Sequence, residues 1–310
     1  MTQLSIIIPA WGSAEALETT LSSVLRHRPP ACEVLVIHQG SYDDPYDVCD
    51  EVLFVESPGA TEVDLLNVGL EIAEAPIVHF LGCGVEVSAG WTDAAMNHFD
   101  DDQVGSVATV VLSAKGNRIA SAGVALHARG RQPLAQGAAV GARGVGSVTP
   151  VGPSMEAGFY RRDCLNWLEG FDEEVGRDLV DIDLALGLQQ LGYPCVLETA
   201  CPVLGAIDSP KPVNAFDEGL GLERLRLRHA PPQGWMQRLS HAFLMASEFC
   251  GALPRGKAFS KLRGRWAAAR DRSLASDYQE RLDEAQAAAT SAHLHAFPAS
   301  TFEWDLRRVA

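Results

Sequence analysis

The chain has 310 residues, 47% hydrophobic and 21% charged, which excludes a disordered chain, a collagen-like repeat and a coiled coil and leaves two domains, or one large α/β domain with an appendage. Its net charge of −15 is uneven: residues 1–220 hold 11 Lys and Arg against 31 Asp and Glu, whereas residues 221–310 hold 14 against 9. An acidic body excludes nucleic acid as a partner, because phosphate contacts need Lys and Arg, and the basic tail reads as a solvated helix face, an anionic-lipid contact or a surface for the acidic body.

Leu4–Ile8 is an apolar, β-branched run closed by Pro9, the pattern of a buried strand. Ser13 caps a predicted helix from Ala14 to about His27, and Pro29-Pro30 stops it. Glu33–Ile37 is a second buried strand, His38–Tyr46 a turn-rich loop and Val52–Val55 a short third strand. Thr61 caps a helix to about Ala73, and Ile77–Leu81 is a fourth strand. Strands alternating with helices at this spacing predict βαβ units and a parallel sheet. Val104–Leu112, Arg118–Ala120 and Val124–His127 read as further strands, with a turn at Lys115-Gly116-Asn117.

Residues 128–147 hold five Gly and five Ala in 20 and read as a mobile loop. Within it, Gly141-Ala142-Arg143-Gly144-Val145-Gly146 has neither a strand before it nor a helix directly after it, so it fails the context test for a phosphate loop. Strand 1 ends in Pro9-Ala10-Trp11-Gly12 rather than a dinucleotide-binding glycine fingerprint. Beyond Pro231-Pro232, Trp235, Leu239, Phe243, Ala246 and Cys250 recur at helical spacing, and Phe259, Leu262, Trp266 and Ala269 do so again after Gly251–Gly256, running toward about Ala289. These stripes predict amphipathic helices packed on the body or on a second subunit. Seven Cys without C-x-x-C spacing fit a reducing, cytoplasmic setting. No apolar run reaches the ~18 residues of a spanning helix, and Met1-Thr2-Gln3 opens without the basic region of a signal peptide.

Three segments together resemble family 2 of the inverting glycosyltransferases, in a rhamnosyltransferase-like form. They are Leu4–Trp11 with Val36–Asp43; Asn67-Val68-Gly69-Leu70 through Gly90-Trp91; and Phe159-Tyr160-Arg161-Arg162 through Gly170-Phe171-Asp172-Glu173 to Asp181-Ile182-Asp183 and Leu191-Gly192-Tyr193. Gly116–Gly123 adds a further similar stretch. The resemblance implies an α/β GT-A fold over residues 1–230, a mixed sheet flanked by helices, followed by a helical extension over 231–310. It also implies a nucleotide-sugar donor and a saccharide acceptor, with the donor pocket opening at Pro9, His38 and Gly84. A homodimer through the C-terminal helices and a peripheral membrane contact are further expectations.

The resemblance also marks departures. The family's two uridine-side carboxylates fall at His38 and Gln39, leaving Asp43 of that motif, and Leu66 replaces the basic residue before Asn67. The metal-binding D-x-D falls at Gly82-Cys83-Gly84, where glycine offers no side-chain oxygen. Glu86 is the nearest remaining metal candidate, and the late metal-binding His falls near Gly205, with Asp208 the nearest polar residue. No cofactor is therefore expected; Mn²⁺ or Mg²⁺ enters only if the ligands lie elsewhere. On the acceptor side, Asp181 is the candidate base, with helix capping as its alternative, and Asp183 is its companion. Val180 replaces the family's Glu, and Glu156 precedes the expected acceptor pocket. Pro9, His38, Gln39, Asp43, Asn67, Cys83, Arg161 and Arg162 form the candidate donor set. Arg161, Arg162 and Lys211 are the cations near the matched motifs that could replace a metal at a diphosphate. Two functions follow: a glycosyltransferase without the usual metal, or a non-catalytic relative that binds a sugar or a partner.

Overall fold

The computed structural model describes residues 2–205 except 41, 43, 128 and 129, then 214–230, 258–270 and 273–296, with isolated residues between 235 and 246. The first half alternates as expected: β1 (Leu4–Pro9), α1 (Ala14–Arg26), β2 (Cys32–His38), β3 (Leu53–Glu56), α2 (Glu62–Ile72) and β4 (Ile77–Leu81). Ser13 caps α1, and Thr61 forms a reciprocal capping box with Asp64 on α2. Strands β3, β2, β1 and β4 run parallel in that order, with β1, β2 and β4 largely buried and β3 the more exposed edge strand.

Beyond β4 the sheet becomes mixed, as expected. β10 (Ala157–Arg161) lies antiparallel between β4 and β6 (Ser106–Ser113), and β11 (Cys195–Gly205) then pairs with β6 and with the short β5 (Val85–Glu86). β7 (Ile119–Ala122) joins β6, while β8 (Val124–His127) and β9 (Gly130–Pro133) make a separate hairpin. The glycine- and alanine-rich stretch is thus partly ordered as a strand, because β9 completes backbone pairing with β8 across Leu126 and Arg131.

Helices cover both faces. α1 and α3 (Asp93–Asn97) pack on one side with Trp91, Leu17 and Leu21 in the core; α2, α4 (Arg162–Trp167) and α5 (Val180–Gln190) contribute to the other. α6 (Ala215–His229) and α8 (Ser273–Ala296) extend that second core, where Tyr278, Leu282, Ala285 and Ala289 join Ile7, Leu35 and Phe80. The C-terminal helices therefore share the body's core.

Of the two expected partners for the aromatic stripes, the described body is not one. α7 (Ala258–Arg270) packs on α6 through its small residues, not its aromatics. A Cβ at Gly264 would lie 2.0 Å from the Phe216 carbonyl oxygen, and one at Gly219 2.1 Å from that of Lys261. This close crossing needs both glycines and turns Ala258, Gly264 and Ala268 inward. Leu262 and Trp266 stay exposed, and so do Trp235, Leu239 and Phe243 in the preceding helical residues.

Candidate functional site

Parallel packing delivers three chain ends to one edge. The Ala10 N–H donates to the Ile37 carbonyl at 2.8 Å, so β1 and β2 end side by side. β4 ends beside β1 at Gly82, and the Cys83 thiol donates to the Pro9 carbonyl at 3.1 Å. Pro9, His38 and the Gly82-Cys83-Gly84 turn thus meet at the carboxyl edge of the parallel strands, where open α/β sheets bind ligands.

These side chains are largely occupied with local structure. His38 is buried, its ring edge-on to Phe54, and Nδ1 accepts from the Gly40 N–H at 3.2 Å. The Gln39 amide donates to the Ala60 carbonyl. Burial pushes the Cys83 thiol up to about 11, so it stays protonated at neutral pH. Gly84 sits at φ +84°, and its N–H is held by Ala16 O and Thr20 Oγ1. Glu86 is exposed on β5, while Asp43, Asp208 and Lys211 lie outside the described residues.

Several expected donor residues sit elsewhere. Arg161 pairs with Ile77, at the opposite end of β4 from Gly82, and its guanidinium binds the carbonyls of Phe99, Asp101 and Val104. Arg162 donates to the Ala73 carbonyl. Both arginines tie loops to the amino edge of β4, so neither reaches the donor edge. Asn67 clips the loop before the short helical turn at residues 173–175, donating to Phe171 O at 2.8 Å and accepting from Phe171 N–H at 2.9 Å. Asp183 accepts from Arg228 and His229, each at 2.8 Å, which fastens α5 to α6. Trp91 is buried core, with its indole N–H on the His27 carbonyl.

A different cluster fills the edge. Glu156 directly precedes β10, and its carbonyl accepts from the Gly82 N–H at 2.9 Å, placing it opposite the first position of the missing D-x-D. Its Oε2 is buried without a hydrogen-bond partner. Asp181, in the first turn of α5, is 1% exposed; its carboxylate accepts from Arg131 Nε at 2.7 Å and from the Ile182 N–H at 2.9 Å. Leu179 holds the cap position, so Asp181 is not the helix cap. Burial raises the Asp181 carboxyl above its ordinary value, Arg131 pulls it back, and Glu156 pushes it up again. Arg131 is the cation that this cluster receives, and it comes from the β8–β9 hairpin. Sequence reasoning missed it inside the glycine-rich stretch.

That raised carboxyl sets a pH expectation. A folded value above the unfolded one gives stability that is present below about pH 4 and lost as pH rises through the folded value. Asp181→Asn lacks this loss. Denaturant unfolding across pH should therefore show the variant gaining on wild type from about pH 4 upward. A difference that stays flat, or runs the other way, would mean that Arg131 outweighs burial.

The donor set does not fit a hard divalent ion at the D-x-D position, since Mg²⁺ and Mn²⁺ want oxygen ligands and the turn offers two glycines and a protonated thiol. On the β2–β3 loop, Asp44, Asp47 and Cys49 bring ligand atoms within 4.8 Å of one another. Asp44 Oδ2 already accepts from the Val48 N–H, and the Cys49 thiol points to Asp47, so these contacts hold the turn. A groove of about 590 Å³ between α2 and α8 is lined by acidic groups such as Asp64, Glu173, Asp277 and Glu284. It lies beside Asn67, not at the Gly82 edge, and its charge would repel a diphosphate.

The sequence model of glycosyl transferase family 2 matches residues 5–124. A comparison with curated protein sequences gives no match. Among solved structures, the fold resembles the mannosyltransferase PcManGT from Pyrobaculum calidifontis, solved with GDP-Man and Mn²⁺, at TM-score 0.50 and 20% identity, covering 96% of this chain and 76% of that one. It also resembles GalNAc-T7 with UDP, GalNAc and Mn²⁺ (TM-score 0.58, 12% identity, 74% of this chain and 48% of that one). TarS of S. aureus is similar too (TM-score 0.51, 15% identity, 76% and 41%). The chain spans less than half the length of the latter two. The likeness to glycosyl transferase family 2 thus lies in residues 5–124, and the fold is GT-A.

Proposed function

We propose that the protein transfers a sugar from a nucleotide-sugar donor to a hydroxyl of a saccharide acceptor, with inversion and without a D-x-D metal. The Asp181–Arg131–Glu156 cluster carries this reading. Burying charges costs several kcal/mol per ion, and a raised carboxyl beside an unpartnered one is the arrangement expected of a general base. In the reaction, the acceptor O–H proton passes to Asp181 as its oxygen bonds the anomeric carbon. The bond from that carbon to phosphate breaks, and the nucleoside diphosphate leaves with the electron pair. In this reading Arg131 meets the diphosphate charge, a task suited to a guanidinium. For the acceptor to reach Asp181, β9 must lift Arg131 off it, so donor binding to Arg131 would also expose the base. Residues 1–230 form the transferase unit in this reading, 231–310 its helical extension, and the compartment is the reducing cytoplasm.

A second reading, a non-catalytic binding module, is favoured by the missing carboxylates at 38, 39, 82 and 84. Calorimetric titration with nucleoside diphosphates, with and without Mn²⁺, separates the two. Metal-independent binding that Arg131→Ala weakens supports the transferase. Binding that requires Mn²⁺ would show that the ligands lie elsewhere, and no binding by any nucleotide would favour the module.

The glycines allow a gain-of-metal experiment. A Cβ at Gly82 would meet Glu156 Cα at 3.5 Å, an ordinary contact, whereas Gly84 needs a positive φ. Gly82→Asp is therefore the tolerated substitution, and it would place a new carboxylate beside Glu156. It should create Mn²⁺-dependent nucleotide binding where wild type shows none; unchanged titrations would argue against a nucleotide pocket at this edge.

A further inference from the structure

We propose that the C-terminal helices dock the protein on an anionic lipid surface. The observation is the inverted α7. At 100° per residue, Leu262, Arg263, Trp266 and Arg270 fall within roughly a 100° sector, and all four are exposed. The opposite side is the small-residue seam that Gly264 closes against α6. Arg270 stacks over the Trp266 ring at 3.6 Å, joining a cation to the apolar stripe. The helical residues before it repeat the pattern: Trp235, Met236, Leu239 and Phe243 also share one sector, and each is at least 60% exposed.

Charge decides the occupant. Residues 235–272 hold eight Lys or Arg against two Asp or Glu, two of the eight, Lys261 and Arg265, being paired with Glu218 and Glu223 on α6, on a chain whose first 220 residues carry 31 acidic groups against 11 basic. A partner must therefore accept tryptophan, leucine and arginine on the same face. Lipid with anionic headgroups offers an apolar layer beneath a negative one, and Trp and Arg settle at that boundary. The acidic groove of a second copy would match the charge, but its lining supplies little apolar surface for Trp266 and Leu262. No helix among the described residues is long and apolar enough to cross a membrane, so the contact is a surface one.

The test is co-flotation of the full chain with phosphatidylcholine vesicles, with and without phosphatidylglycerol, with sedimentation velocity of the protein alone. Binding is expected on the anionic vesicles and should weaken with salt. Arg263→Glu with Arg270→Glu should weaken it at least about tenfold, since each basic group near such a surface contributes appreciably. Leu262→Ala with Trp266→Ala should weaken it comparably. All these side chains point outward, so matching thermal melts would show that the variants fold. Absence of binding to anionic vesicles, or binding unchanged in both variants, overturns the proposal. So does a concentration-dependent dimer that Leu262→Ala with Trp266→Ala abolishes, because a second copy would then cover the stripe.

Discussion

Replacing Arg228 by alanine is expected to destabilise the protein by about 3–5 kcal/mol, the range for removing one partner from a buried ion pair. Arg228 is 1% exposed on α6 and donates to Asp183 at 2.8 Å, Asp172 at 2.9 Å and Glu174 at 2.7 Å, with Tyr278 of α8 beneath its guanidinium. It therefore joins α5, the 169–175 loop, α6 and α8. Alanine would leave Asp183 buried with His229 as its remaining side-chain partner, and would leave Asp172 to Arg281. Denaturant unfolding measures the loss; a change under about 1 kcal/mol would mean that water replaces the arginine readily. Acid should expose the same network. Burial alone would raise Asp172, but hydrogen bonds from Arg281 and the Glu174 N–H, with the charge of Arg228, hold it below its ordinary value. A lowered folded value gives stability that is present above the ordinary carboxylate range and lost as pH falls through it. Without Arg228 the folded value moves back toward the ordinary one, so that loss should be smaller and complete at a higher pH.

The parallel half of the fold is legible because β1, β2 and β4 are mostly apolar, β-branched-rich runs, bounded by capped helices and turn residues. The strands added beyond it are not. β10 reads Ala-Gly-Phe-Tyr-Arg, too short and too mixed to announce itself, and gains its place only from pairing between β4 and β6. β11 contains Pro202 and shifts register between Glu198 and Val203, which breaks any alternation. The site divides in the same way. Asp181 is legible from its motif, and the meeting of Pro9, His38 and Gly82-Cys83-Gly84 follows from strand order. Arg161 and Arg162 stand next to the right motif, yet antiparallel pairing carries them to the wrong end of β4. Arg131 reaches Asp181 through hairpin register alone, in a stretch with no composition signal. The aromatic stripes of the tail show their helical period, but which side is buried depends on a glycine crossing between two helices distant in sequence.

Asp181→Asn should lower sugar transfer at least about 100-fold, the scale for removing a general base. The change keeps the shape and an acceptor oxygen for Arg131, so nucleoside diphosphate affinity should be retained. Arg131→Ala should behave differently. Hydrogen bonds to charged groups contribute about 1.5–3 kcal/mol, so nucleoside diphosphate affinity should fall roughly 10- to 100-fold, and Asp181 is left buried without its guanidinium. Glu156→Gln removes the charge that raises Asp181, so the alkaline plateau of the pH–rate profile should begin at lower pH. Hydrolysis of a panel of nucleotide-sugars, with water as the acceptor, gives a readout before the natural acceptor is identified. An Asp181→Asn variant that hydrolyses donor at the wild-type rate would remove Asp181 from the chemistry. Loss of nucleotide binding in that variant would instead make the carboxylate part of the pocket's architecture, because a base that acts on the acceptor has no reason to hold the donor.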